Sequence, residues 1–170
     1  MEGSLDRRRL NDAFAALGKR VHQPTRVLIG GAGALILGGE LNRATMDCDV
    51  LLSHPDMGQL QGYIRTVAER CGLPSGWLNG SAQTYAEILP PDYESRLHSL
   101  PPFGRLQVMV LHRQDVLVVS ERQIHHLRFE PSFTDRLGSL KFVDFIHSVP
   151  PEQRHNLTLR ECDPWRLHRE

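Results

Sequence analysis

The sequence predicts an α+β (α/β-like) fold, a small mixed β-sheet flanked by helices. Three observations carry this. Short apolar runs of strand length, Arg26 to Ile29 and Arg105 to Leu111, are bounded by turn residues. Around them, residues 5–20, 55–71 and 133–148 place apolar side chains at helical spacing. The chain has 170 residues and 40% apolar content, enough to bury one sizeable core but little for two.

The elements follow in order. Leu5, Leu10, Phe14 and Leu17 lie near one face of a helix over residues 5–20, which Gly18 can stop. After a loop with Pro24 come a strand at Arg26 to Ile29, the pair Gly30-Gly31, and a small-residue helix from Ala32 to Leu37. A connector, Gly38 to Met46, leads to a second strand, Asp47 to Leu52. Pro55 is expected in the first turn of the next helix, which turns Leu60, Ile64, Val67 and Ala68 inward and ends at Gly72. Residues 73–80 read as a loop carrying Trp77, and Thr84 to Leu89 as a strand closed by Pro90-Pro91. Asp92 to Leu100 fits a short strand or one helical turn. In Arg105 to Leu111, Leu106, Val108 and Val110 alternate with Gln107 and Met109. A helix from about Gln114 to His126 is expected, although residues 116–119 also suit a strand. Another runs from Phe133 to Ser148 and stops at Pro150-Pro151. The organisation is thus one domain over residues 1–150 and a C-terminal tail or docked extension over 151–170, anchored by Trp165.

Composition excludes several classes. Lys+Arg and Asp+Glu both number 20, so nucleic-acid binding would need a local patch rather than bulk charge. Cys48, Cys71 and Cys162 are odd in number and far apart, without CxxC spacing, which fits a reducing cytosol. The charged start MEGSLDRRRL has no apolar run after it, and no segment is long enough to span a membrane. A cytoplasmic protein is expected.

Residues 26–52 concentrate the chemistry. On a strand Asp47 and Asp49 point one way and Cys48 and Val50 the other. Two carboxylates side by side repel unless solvent or a cation offsets them, and Mg²⁺ (or Mn²⁺) does so with oxygen ligands, keeping positions for water and phosphate. Gly30-Gly31 at a helix start lets backbone N–H groups approach phosphate oxygens, and the helix dipole favours the anion. A triphosphate between the two would meet metal on one side and amides on the other. Arg43 and Thr45, just ahead of the aspartates, are further candidates for phosphate contact; the alternatives are a solvated arginine and a strand-start threonine. Taken singly, a Gly-Gly turn is often only a turn and an Asp-x-Asp pair a solvated strand face.

The string LIGGAGALILGG followed by RATMDCDVLL resembles the nucleotidyltransferase fold, the polymerase-beta-like superfamily. Gly30, Gly31, Asp47 and Asp49 match its Gly-Gly and Asp-hydrophobic-Asp positions. The string is also similar to a bacterial branch that includes toxin–antitoxin and phage-defence nucleotidyltransferases. Weaker likeness extends through WLN at 77–79, PPDY at 90–93 and residues 105–119. The resemblance implies that Asp47 and Asp49 are catalytic and hold divalent metal, with Gly30 and Gly31 on the phosphates. It implies transfer of a nucleotide monophosphate from a nucleoside triphosphate to a protein, RNA or small-molecule acceptor, with release of pyrophosphate. Active members carry a third carboxylate on a later strand. The corresponding run here, Arg105 to Leu111, has no acid and carries Gln107 instead, while Glu87, Asp92 and Glu94 stand nearby in sequence.

Two rivals follow. A binding module of the same fold, catalytically impaired and antitoxin-like or regulatory, would hold a partner protein. An RNA-binding accessory would use Arg7 to Arg9 and the basic C-terminal residues. Lys141 reads as a surface lysine or a triphosphate contact, and His125-His126, about 100° apart on a helix, as a poor chelate.

Overall fold

A computed structural model of the chain describes residues 4–120, and residues as far as Val119 form one unit. Asp6 begins the first helix, α1 (Arg7–Gly18), by accepting the N–H of Arg9 at 2.8 Å. Leu5, expected inside that helix, instead pairs as an isolated bridge with Thr45. Strand β1 (Thr25–Ile29) leads through Gly30 into α2 (Gly31–Gly38), and β2 (Cys48–His54) follows the connector. Helix α3 (Met57–Cys71) is capped by Asp56 and ends at Gly72, whose φ of 61° suits glycine. Pro55 therefore stands before the cap rather than in the first turn. The aspartate side chain satisfies the first-turn donors better than a proline there would.

Two expectations fail further on. The loop carrying Trp77 contains a two-residue strand, β3 (Leu78–Asn79). Thr84 to Leu89 is not a strand: residues Gln83–Ile88 form a 3-10 helix. Its apolar residues are too few and none is fully buried, so sheet pairing had little to gain there. Asp92 to Leu100 contains both of its alternatives, a 3-10 turn (Tyr93–Arg96) and β4 (His98–Ser99). The second clear strand is β5 (Leu106–Val110), buried at alternate residues as expected. Helix α4 starts at residue 113 and is described as far as residue 120. Its expected end at His126, the helix at 133–148, Lys141, His125-His126, Trp165 and the boundary at 150 lie outside the described residues.

The five strands form a mixed sheet in the order β3-β2-β1-β5-β4. β1 runs antiparallel to β2 and parallel to β5, β3 is parallel to β2, and β4 is antiparallel to β5. This confirms the α+β class with a small mixed sheet flanked by helices. Helices α1 and α2 cover one face, packing on β5 and β2. Val27, Ile29, Val50, Leu106, Val108 and Val110 are buried beneath them. Phe14 of α1 meets Trp77 edge-on at 5.6 Å, and the indole N–H of Trp77 donates to the Ile64 carbonyl of α3 at 3.2 Å. Gly18 is more than a helix stop. A Cβ there would lie 1.9 Å from the Phe103 carbonyl oxygen, so only glycine lets the β4–β5 connection pack against α1. At the other side of the unit, Asp115 in the first turn of α4 is buried and accepts from Arg96 at 2.6 and 3.1 Å, joining α4 to the 3-10 turn.

Candidate active site

The register places the acids. Arg26, Val27 and Leu28 of β1 face His54, Ser53 and Leu52 of β2, but Ile29 faces Val50, so Leu51 is an extra residue in a β-bulge. Val50 and Cys48 are fully buried on the helix-covered face. Asp49, between them, points to the opposite face and is half-buried. Asp47 lies one residue before the first residue of β2 and is also half-buried.

The diglycine bend adjoins the acid strand. The N–H of Gly30 donates to the Asp49 carbonyl at 2.9 Å. Gly30 is the N-cap of α2 with no side-chain cap, and Gly31 opens the helix at φ 56°. A Cβ on Gly31 would sit 3.0 Å from Asp49 Oδ2. The left-handed backbone favours glycine at 31, and a Cβ there would also press on the Asp49 carboxylate. Two residues on, a Cβ at Gly33 would sit 2.6 Å from Cys48 Sγ, so the small residues of α2 allow the helix to lie directly on β2. The N-terminus of α2, with its positive dipole end, therefore lies beside the Asp49 carboxylate.

Cys48 reports on the charge of this region. Burial pushes its thiol well above the usual range, and the negative charges of Asp49 and then Asp47 push it further. The thiol stays protonated and packs as a small core residue, not a nucleophile.

The other candidates fall on the connector. Thr45 is tied by its backbone to Leu5 at 2.6 and 3.0 Å, so the N-terminal segment holds the chain just ahead of the acids. Arg43 keeps its Nε buried without a hydrogen-bond partner. No acid stands on β5. Gln107, half-buried, spends its amide N–H₂ on the carbonyls of Leu100 and Val108 at 2.9 and 3.3 Å. Of the three acids near that strand in sequence, Asp92 is paired with Arg96, Glu94 accepts from the Tyr93 hydroxyl at 3.4 Å, and Glu87 sits exposed on the 3-10 helix. Among the described residues no group of three or more His, Cys, Asp or Glu side chains comes together as a metal site.

One neighbour was not visible from spacing. Asn79 on β3 pairs with Asp49 and shares its face. Its side chain is fixed, Oδ1 accepting from the Ser81 N–H at 2.9 Å. The string WLN carries no strand signal of its own, because a two-residue strand leaves no periodicity to read.

A family model described as "Nucleotidyltransferase of unknown function (DUF6036)" fits residues 8–140, well over half of the chain. No curated protein and no solved structure matches. No helix among the described residues is long and apolar enough to cross a membrane.

Proposed function

Because the chain belongs to a family of nucleotidyltransferases of unknown function, we propose that it moves a nucleotide monophosphate from a nucleoside triphosphate to an acceptor hydroxyl, in the cytoplasm and with a divalent cation. The hydroxyl oxygen bonds to the α-phosphorus, the bond to the bridging oxygen breaks, and pyrophosphate leaves. One observation supports the reading above others: a Cβ built on Gly31 would stand 3.0 Å from Asp49 Oδ2, so the acid strand and the diglycine helix start are neighbours.

The donor chemistry suits Mg²⁺ or Mn²⁺. Asp47 and Asp49 offer hard oxygen ligands from one short segment, leaving positions for substrate phosphate and water. A cation held there would neutralise phosphate charge and lower the pKa of the attacking hydroxyl. Gly30 and Gly31 let the backbone of the α2 N-terminus approach a phosphate with no side chain in the way. Arg43 and Thr45 are proposed as further phosphate contacts from the connector. The likeness to toxin–antitoxin and phage-defence enzymes makes a protein or RNA acceptor part of the proposal, with a protein partner of that kind.

A second reading is favoured by a specific feature, the acid-free β5 with its engaged Gln107. In that reading the fold binds nucleotide, or a partner protein, without transfer.

Thermal melting tests the shared premise. Triphosphate with Mg²⁺ at a hundredfold over Kd should stabilise the chain by about 2.7 kcal/mol, and Asp47→Ala with Asp49→Ala should remove the shift. No shift with any triphosphate would sink the transferase reading and the nucleotide-binding form of the second, leaving only a module that holds a partner protein. Transfer of labelled nucleotide to a lysate component, lost in Asp49→Asn, would then decide for the enzyme.

A further inference from the structure

At the far end of β1 from Gly30, a cleft of about 360 Å³ opens on the face that carries Asp49. Its floor is one row of side chains across three strands. Arg26 faces His54 on the antiparallel side and Gln107 on the parallel side. Such cross-strand neighbours stand about 5 Å apart at Cβ. Arg105 joins the row from the rim, where one guanidinium nitrogen donates to the His22 carbonyl and fixes the group in place. Gln107 is likewise held, by its two bonds to backbone carbonyls.

The charge of the cleft is one-sided. Two arginines and a histidine line it, and no carboxylate does. Neither Arg26 nor Arg105 forms an ion pair among the described residues. Arg26 is opposed by His54 on one side and Gln107 on the other, so no carboxylate on the neighbouring strands offsets its charge. An anion held between Arg26 and Arg105 would supply that offset, and a guanidinium offers paired donors to a carboxylate or a phosphate. The volume lies in the range of small-ligand pockets and exceeds what a bare ion needs.

We propose that this cleft is a binding site for a small organic anion, a phosphate monoester or a carboxylate, held by Arg26 and Arg105 with His54 and Gln107 beside them. The site is separate from the diglycine bend. About 13 Å of strand separates Arg26 from Gly30 at the usual rise per residue, and the row of Leu28, Leu52 and Met109 stands between the cleft and Asp49. The inference does not depend on nucleotide transfer.

The test is an amide-resolved NMR titration of the ¹⁵N-labelled full chain with phenyl phosphate and with benzoate, against sodium chloride at equal ionic strength. The expected result is saturable shifts at residues 26, 54, 105 and 107 with one or both anions. Whichever anion binds more tightly identifies the headgroup. Arg26→Gln and Arg105→Gln, both exposed positions, should each weaken binding by about tenfold, while Asp49→Asn should leave it unchanged. Shifts that never saturate, or that chloride reproduces, would overturn the proposal. So would binding that survives both arginine changes, or that Asp49→Asn abolishes.

Discussion

Gly31 shows how much can hang on one missing side chain. Its φ of 56° disfavours any larger residue, and the Asp49 oxygen 3.0 Å from its would-be Cβ would have to give by a few tenths of an ångström to admit one. Gly31→Ala should cost about 1–2 kcal/mol from the left-handed backbone alone, read as a lower urea midpoint at unchanged m. The added methyl also displaces the carboxylate, so the triphosphate-induced melting shift should fall by more than the loss of stability explains. A variant as responsive to triphosphate as the parent would remove Gly31 from the site. The pair Gly30-Gly31 was legible in sequence as a turn beside a helix. Its contact with Asp49 was not, because that contact joins residues 18 positions apart through strand pairing.

Among elements, α3 was the most fully legible. Leu60, Ile64, Val67 and Ala68 are all buried as their spacing required, and Gly72 ends the helix. Its start was misplaced by two residues, since Asp56 and not Pro55 organises it. The Gln59 side-chain amide, and then the Gln59 N–H, hold the Asp56 carboxyl below its ordinary value of 3.8. A folded-state value below the unfolded one gives stability that is present above pH 3.8 and lost as pH falls through the lowered value. Asp56→Ala should therefore flatten the acid limb of a plot of urea midpoint against pH, and leave a small, pH-independent loss at neutrality. Strand β2 gives the opposite lesson. Strict alternation from Asp49 would put Leu51 and Ser53 on its face. The bulge at Leu51 puts Leu52 and His54 there instead, and nothing in the string VLLSH announces an extra residue.

At the scale of the described unit, Trp77 ties the parts together. It is fully buried, meets Phe14 of α1 edge-on, donates to Ile64 of α3, and its carbonyl accepts the Cys48 N–H at 2.7 Å just beside the acids. Trp77→Ala should cost about 3–5 kcal/mol, measured by urea denaturation, and should loosen the start of β2 as well as the core. Trp77→Phe should cost distinctly less, since it keeps an apolar ring against Phe14 and loses only the indole N–H. Equal losses for the two would show that the hydrogen bond, rather than packing, holds this joint.

By itself the sequence determined the fold class, the strands around residues 26–29, 47–52 and 106–110, the helices around residues 7–18, 32–37 and 57–71, and the succession along the chain of a glycine bend and an Asp-x-Asp segment. These are local patterns: period, length and turn chemistry within a few residues. Tertiary structure alone decided the sheet order, the bulge in β2, the placement of Asn79 beside Asp49, and the row of Arg26, His54 and Gln107. Each of these joins residues tens of positions apart through strand register. Register is chosen by which faces the whole core can bury together, a quantity no short stretch of sequence contains.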